Sequence, residues 1–118
     1  MIVKRITSNI ATESIGKVRK FYSDLFGLEI VMDFGWITTL TSHEVAPVIV
    51  SIASDGGSGT PVPDISIEVD DVDAVYHRAK QLGLEINYEL VDEPWGVRRF
   101  YVTDPAGKLL NVLAHIDS

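Results

Sequence analysis

The feature that most constrains this chain is an internal repeat. Gly27-Leu28-Glu29-Ile30 recurs as Gly83-Leu84-Glu85-Ile86, 56 residues further on, and the signals around the two copies follow the same order. In the first copy, Ile2–Ala11 alternates loosely and carries β-branched residues, which predicts a strand. Ile15, Val18, Tyr22 and Leu25 then recur at spacings of three and four, as on one face of an amphipathic helix. Thr12 or Ser14 can cap its start, and Gly27 stands where a left-handed C-terminal cap belongs. Strands are predicted over Leu28–Met32, Trp36–Thr41 and Pro47–Ala53. The second copy repeats this with a strand over Asp64–Val69 and a helix carrying Val72, Val75, Ala79 and Leu82. Asp70 or Asp71 caps that helix and Gly83 closes it. Strands follow at Leu84–Leu90, Arg98–Thr103 and Leu109–His115, with Asp104-Pro105-Ala106-Gly107 as a turn between the last two. A repeat of one helix and four strands is too long for a solenoid unit, and two copies of βαβββ fit it. The expectation is an α+β domain of two tandem βαβββ modules. Residues 1–53 form the first module, 54–63 a Gly/Ser-rich linker and 64–118 the second. Two curled mixed sheets would each carry a helix outside and turn the other face toward a concave groove.

Composition narrows what such a domain does. With 118 residues there is room for one domain. Ten basic and 17 acidic side chains leave a net charge of −7, which repels phosphate backbones, so nucleic acid is not an expected partner. The absence of cysteine excludes disulfides, thiolate nucleophiles and zinc–thiolate sites. No apolar run approaches the ~18–20 residues of a membrane span, and Met1 opens into a strand pattern. No membrane partner is expected, and the cytoplasm is the expected location.

Three segments, in order, carry a family likeness: Phe21-Tyr22-Ser23-Asp24-Leu25-Phe26-Gly27-Leu28, Asp64-Ile65-Ser66-Ile67-Glu68-Val69-Asp70-Asp71-Val72-Asp73, and Asp104-Pro105-Ala106-Gly107-Lys108-Leu109-Leu110. They resemble the vicinal-oxygen-chelate superfamily, which includes glyoxalase I, bleomycin resistance proteins, fosfomycin resistance enzymes and extradiol dioxygenases. The likeness spans essentially the whole chain and implies the paired-module fold. Enzymes of that superfamily hold a divalent metal with His, Glu or Gln from the first and last strands of each module. Those positions fall near Thr7, Ser51, Asp64 and Asn111. Divalent metals in such sites take imidazole nitrogen or carboxylate oxygen. Two hydroxyls, an amide and one carboxylate are a poor set, so no metal ligand and no cofactor is predicted. A divalent metal enters only under an enzymatic alternative.

Strand alternation nominates groove residues. On the fifth strand, Asp64, Ser66 and Glu68 oppose Ile65, Ile67 and Val69, which suit the helix side. On the eighth, Leu109, Asn111, Leu113 and His115 share one face. The register implied by the resemblance turns Arg99, Tyr101 and Thr103 inward, and Thr7 and Asn9 face in from the first strand. Tyr101 precedes Asn111 by ten positions, the spacing the resemblance gives to a catalytic tyrosine in extradiol dioxygenases. Without a metal it would donate a hydrogen bond or stack on a ligand. Tyr101 and Glu68 are therefore the catalytic candidates. Asp64 and Glu68 are read as counter-ions for a cationic ligand, as a general base, or as a structural ion pair neutralised by Arg99. Trp36 and Trp95 stand at comparable places in the two modules, where flat rings sandwich a planar ligand, cover a hairpin or fill a dimer interface. Adjacent Arg98 and Arg99 must face opposite ways, so at most one serves the groove. His43 and His77 are read as solvated or capping, whereas His115 shares the face of Asn111 and joins the ligand-binding candidates.

Three functions remain open at this point. The leading one is metal-independent binding or sequestration of a small molecule, as in the bleomycin resistance type. The second is a metal-dependent lyase or dioxygenase with an altered site. The third is a non-catalytic interaction module. A homodimer is expected, since family members commonly cover their exposed edges that way.

Overall fold

The structure is a computed structural model that describes residues 1–43 and 49–116. Its elements run β1 (Val3–Ala11), α1 (Ile15–Phe26), β2 (Glu29–Asp33), β3 (Ile37–Thr41), β4 (Ile49–Ala53), β5 (Ile65–Val69), α2 (Val72–Gln81), β6 (Ile86–Glu93), β7 (Val97–Thr103) and β8 (Leu109–His115). The βαβββ order therefore occurs twice, as the repeat predicts, and the architecture is α+β. The strand order is β2-β3-β4-β1 in the first half and β5-β8-β7-β6 in the second, so each opening strand lies beside its closing strand. That pairing is parallel in both halves, and the other pairs within each half are antiparallel. The predicted fourth strand, Pro47–Ala53, is found from Ile49 on, and its first two residues lie outside the described ones.

The chain divides into two compact units, Thr7–Val62 and Met1–Ile6 with Pro63–Ser118. The start of β1 joins the second unit through a backbone clip. Ile2 N–H donates to Asp70 Oδ1 at 2.7 Å, and Asp70 N–H donates to the Ile2 carbonyl at 3.1 Å. The Ile2 amide holds the Asp70 carboxyl below its ordinary range. Asp71 caps α2 by accepting from Ala74 N–H at 3.1 Å. At the other end, Leu84 N–H reaches the Ala79 carbonyl and Gly83 N–H the Lys80 carbonyl, with Gly83 left-handed at φ +71°. This is the Schellman closure that the helix-ending glycine predicts.

Inside the second unit, Val69, Val72, Ala79, Phe100, Val102 and Val112 form a buried cluster between α2 and its sheet. Every member from a strand lies on the α2 side, which commits the alternate residues of β5, β7 and β8 to the opposite face. In the Thr7–Val62 unit, Leu40, Ile52 and Ala53 are buried, yet α1 buries no residue completely. Ile15, Val18 and Tyr22 are half-buried, as the period predicts, whereas Leu25 is exposed. Ser14 occupies the N-cap position without a side-chain bond, and the Thr12 hydroxyl accepts from Ser14 N–H at 2.9 Å. The Gly/Ser-rich segment makes its own turn: Gly56 N–H donates to the Thr60 carbonyl at 2.9 Å and Gly57 N–H to Asp55 Oδ1 at 2.6 Å.

Candidate functional site

The chemistry of the second unit gathers on the sheet face away from α2. Arg99 on β7 points there, because its neighbours Phe100 and Arg98 alternate with it: Phe100 enters the core and Arg98 bonds Asp73 of α2. The Arg99 guanidinium meets Glu93 through Nε at 2.7 Å and Nη2 at 2.6 Å, both to Oε2. The side chains are 3% and 4% exposed. Nη1 donates to the Tyr101 hydroxyl at 3.0 Å, and the Tyr88 hydroxyl donates to Glu93 Oε2 at 3.1 Å. Three rings surround the cation, with Trp95 and Tyr101 centroids 4.9 Å and Tyr88 5.3 Å from Cζ. Removing one member of such a buried pair typically costs ~3–5 kcal/mol, because the other charge is left without compensation.

Tyr88 and Glu93 were not nominated by the sequence pattern, and β6 shows why. The strand runs to Glu93, three residues beyond its predicted end at Leu90, and its pairing with β7 is interrupted between Ile86 and Tyr88 and between Tyr88 and Val91. Such bulges reset the alternation. Tyr88 and Glu93, five apart, therefore share a face that simple alternation would deny them. The usable signal was the acid just before the Pro94-Trp95-Gly96 turn, within hairpin reach of Arg99. The structure thus gives Arg99 a carboxylate partner on β6, Glu93, rather than the expected Asp64 and Glu68.

Those two acids sit apart from each other. Asp64 precedes β5, is exposed, and accepts from Leu109 N–H at 2.8 Å, while its own N–H donates to the Leu109 carbonyl. Its carboxylate thus closes the start of the β5–β8 ladder. Glu68 is flanked by two cationic or protonatable groups, Arg5 Nε at 3.3 Å and His115 Nδ1 at 3.1 Å. Of the other histidines, His43 bonds Glu29 at 2.7 Å and His77 lies exposed on α2.

A polar row crosses the same face. Tyr88 opposes Tyr101, Tyr101 opposes Asn111, and Asn111 opposes Ser66. Asn111 is buried, and its Nδ2 donates to Ser66 Oγ at 3.1 Å. Its Oδ1 is buried with no hydrogen-bond partner among the described residues. Thr103, the third residue expected inward on β7, bonds Asn87 at 2.7 Å near the strand end.

The first half has a matching row of Met32, Thr39, Ser51 and Asn9. There the Thr39 and Ser51 hydroxyls bond each other at 2.8 Å. Thr7 lies two residues before Asn9 on β1 and is half-buried. Trp36 and Trp95 occupy equivalent hairpin turns beside left-handed Gly35 and Gly96. Trp36 packs near Phe34, at 6.2 Å between ring centroids, whereas Trp95 covers the Arg99 guanidinium.

These donors do not fit a divalent transition metal. At the positions the resemblance assigns to metal ligands, the Ser51 hydroxyl is engaged by Thr39 and the Asp64 carboxylate by a backbone amide. Asn111 offers a neutral oxygen, and transition-metal sites select imidazole or carboxylate. Among the described residues, no group of three or more His, Asp or Glu side chains is placed to hold a metal ion.

Paired βαβββ units with a polar, aromatic-walled sheet face define a class of small α+β proteins, and comparison identifies the family. The family model of the Glyoxalase/Bleomycin resistance protein/Dioxygenase superfamily matches residues 3–112, and the chain belongs to that superfamily. No curated protein matches the sequence at a significant level. Among solved structures, a glyoxalase/bleomycin resistance protein/dioxygenase superfamily member from Vibrio splendidus 12B01 is similar over 98% of this chain and 100% of that one, at 19% identity and a TM-score of 0.68. Methylmalonyl-CoA epimerase from Mycobacterium tuberculosis is similar over 98% of this chain and 88% of that one, at 16% identity and a TM-score of 0.64. The structure described as NAD-dependent benzaldehyde dehydrogenase from Legionella pneumophila is similar over 94% of this chain and 99% of that one, at 13% identity and a TM-score of 0.75. At these identities the likeness is one of fold. No helix among the described residues is long and apolar enough to cross a membrane.

Proposed function

We propose that this chain binds a small organic molecule against the face of strands β5–β8 that lies away from α2, and that it does so without a metal. The observation that carries the reading is the Arg99–Glu93 pair, almost wholly buried and walled by Trp95, Tyr88 and Tyr101. Buried ion pairs are poor sources of stability compared with apolar packing, so a pair kept on this face suits recognition better than folding. A few fixed polar groups among aromatic walls are the usual composition of small-molecule sites. The Arg5 guanidinium and the His115 ring beside Glu68, with the backbone bond to Asp64, argue against a site built chiefly for a cationic ligand. Sequestration in the cytoplasm is the activity this reading favours.

The test uses purified full-length protein, analysed for bound metal and screened by thermal shift against cationic antibiotics, α-keto acids and neutral aromatic amides. At least one compound should raise the melting temperature, with the same shift after treatment with a chelator. Stoichiometric metal together with loss of the shift on chelation would overturn the reading in favour of a metal-dependent enzyme.

A homodimer is proposed on separate grounds. Phe21, Leu25 and Phe26 of α1 and Ile30 and Val31 of β2 are all exposed, and β2 ends the strand order of its half. Open sheet edges and apolar patches favour association. Light scattering should give twice the chain mass of 13.0 kDa. A value equal to the single-chain mass refutes it.

A further inference from the structure

We infer that Asn111 Oδ1 is the acceptor that recognises a hydroxyl or amide N–H of the bound molecule, which makes the ligand a hydrogen-bond donor with a planar body. This inference rests on the small-molecule reading above. Asn111 is 8% exposed, and its amide is oriented by Nδ2 donating to Ser66 Oγ, which leaves the buried carbonyl oxygen as the end without a partner among the described residues. A buried acceptor without a donor is destabilising, and native structures supply one from protein, water or ligand. Among the described residues the protein supplies none. The neighbouring Tyr101 hydroxyl turns instead to Arg99, from which it accepts a bond.

The first half shows that such a row can close on itself. Ser51, which holds the equivalent place on β4, bonds Thr39 directly. In the second half the equivalent of Thr39 is Tyr101, and the row stays open at Asn111. The ligand group that meets this oxygen must carry a proton. A carboxylate or phosphate oxygen would set acceptor against acceptor. The planar body follows from the Tyr88, Tyr101 and Trp95 rings of the same face.

Two probes that differ only by N-methylation separate the donor from the body. Benzamide carries N–H donors, and N,N-dimethylbenzamide has none. Calorimetric titration of the full chain should show benzamide binding about tenfold more tightly, the factor expected of one ordinary hydrogen bond. Asn111→Leu should bring the ratio to about one while binding of the dimethyl amide persists. Asn111→Asp, which keeps an acceptor at the same place, should preserve the preference. A preference that survives Asn111→Leu, or that is absent from the unmodified chain, overturns the inference and assigns the oxygen to internal water. Failure of both amides to bind the unmodified chain also overturns it, and the small-molecule reading then rests separately on the compound panel and chelator test. Far-UV circular dichroism confirms that each variant is folded.

Discussion

The two halves share one topology and differ in how each completes the sheet face away from its helix. In the first, the row Met32-Thr39-Ser51-Asn9 includes two small hydroxyls that satisfy each other. In the second, the row Tyr88-Tyr101-Asn111-Ser66 contains larger side chains that reach sideways: Tyr101 to Arg99, Tyr88 to Glu93, Asn111 to Ser66. The helices differ in the opposite sense of completeness. α2 buries Val72 and Ala79 against a contiguous core, whereas α1 buries nothing fully and leaves Phe21, Leu25 and Phe26 exposed. One half thus has a finished core and a polar face with one unanswered acceptor among its described residues. The other half has a closed polar row and an unfinished apolar side. The proposed binding role rests on the former, and the proposed association on the latter.

The sharpest way to break this contrast is to remove the buried Arg99–Glu93 pair of the second half. Arg99→Met should destabilise the chain by ~3–5 kcal/mol in urea unfolding, since Glu93 is left buried and uncompensated. Adding Glu93→Leu should recover most of that loss; a double variant no better than the single would mean the pair is not the source of the cost. A smaller effect follows for Tyr101→Phe, which leaves one guanidinium proton without its hydroxyl partner and should cost ~1–2 kcal/mol.

The matched positions of the two rows should then respond unequally. Thr39→Val strands the Ser51 hydroxyl and should cost about 1 kcal/mol. Asn111→Leu in the ligand-free chain removes the Nδ2 bond to Ser66 together with an acceptor that has no donor, so unfolding should show a smaller loss than Thr39→Val. Equal losses at both positions would show the two rows to be equally closed.

Last comes the clip that ties β1 to the second unit. Because Ile2 N–H holds the Asp70 carboxyl below its ordinary value of 3.8, its contribution is complete at neutral pH and fades as pH falls through the lowered value. The stability difference between the unmodified chain and Asp70→Asn should therefore be constant near neutrality and shrink in acid. A difference that grows on acidification would reverse the assignment.

Much of this molecule is legible in its sequence. The repeat around Gly27 and Gly83 predicted the order of all ten elements, and the predicted span of β8 matches the structure residue for residue. Alternation placed Ile67 and Val69 toward α2 and separated Arg98 from Arg99 correctly. The candidate site was legible only where alternation ran unbroken. Tyr101, Asn111, Ser66 and Arg99 come from such strands. Tyr88 and Glu93 do not, because the bulges in β6 shift the face without leaving a mark that one strand read alone reveals. Asp64 shows the converse error: two-residue periodicity assigned it to the face of Ser66, yet it lies outside β5 and is held by the backbone of Leu109.

What the sequence by itself determined is what depends on near neighbours: helix faces, glycine caps, the order of the elements and the side of each regular strand. Those properties follow from local sterics and periodicity, which act within a few residues. Tertiary structure alone decided the partners. Arg99 chose Glu93, the Tyr101 hydroxyl turned to Arg99, and Asn111 was left with an unanswered oxygen. Each outcome depends on cross-strand register, and register is settled between strands that the sequence keeps far apart.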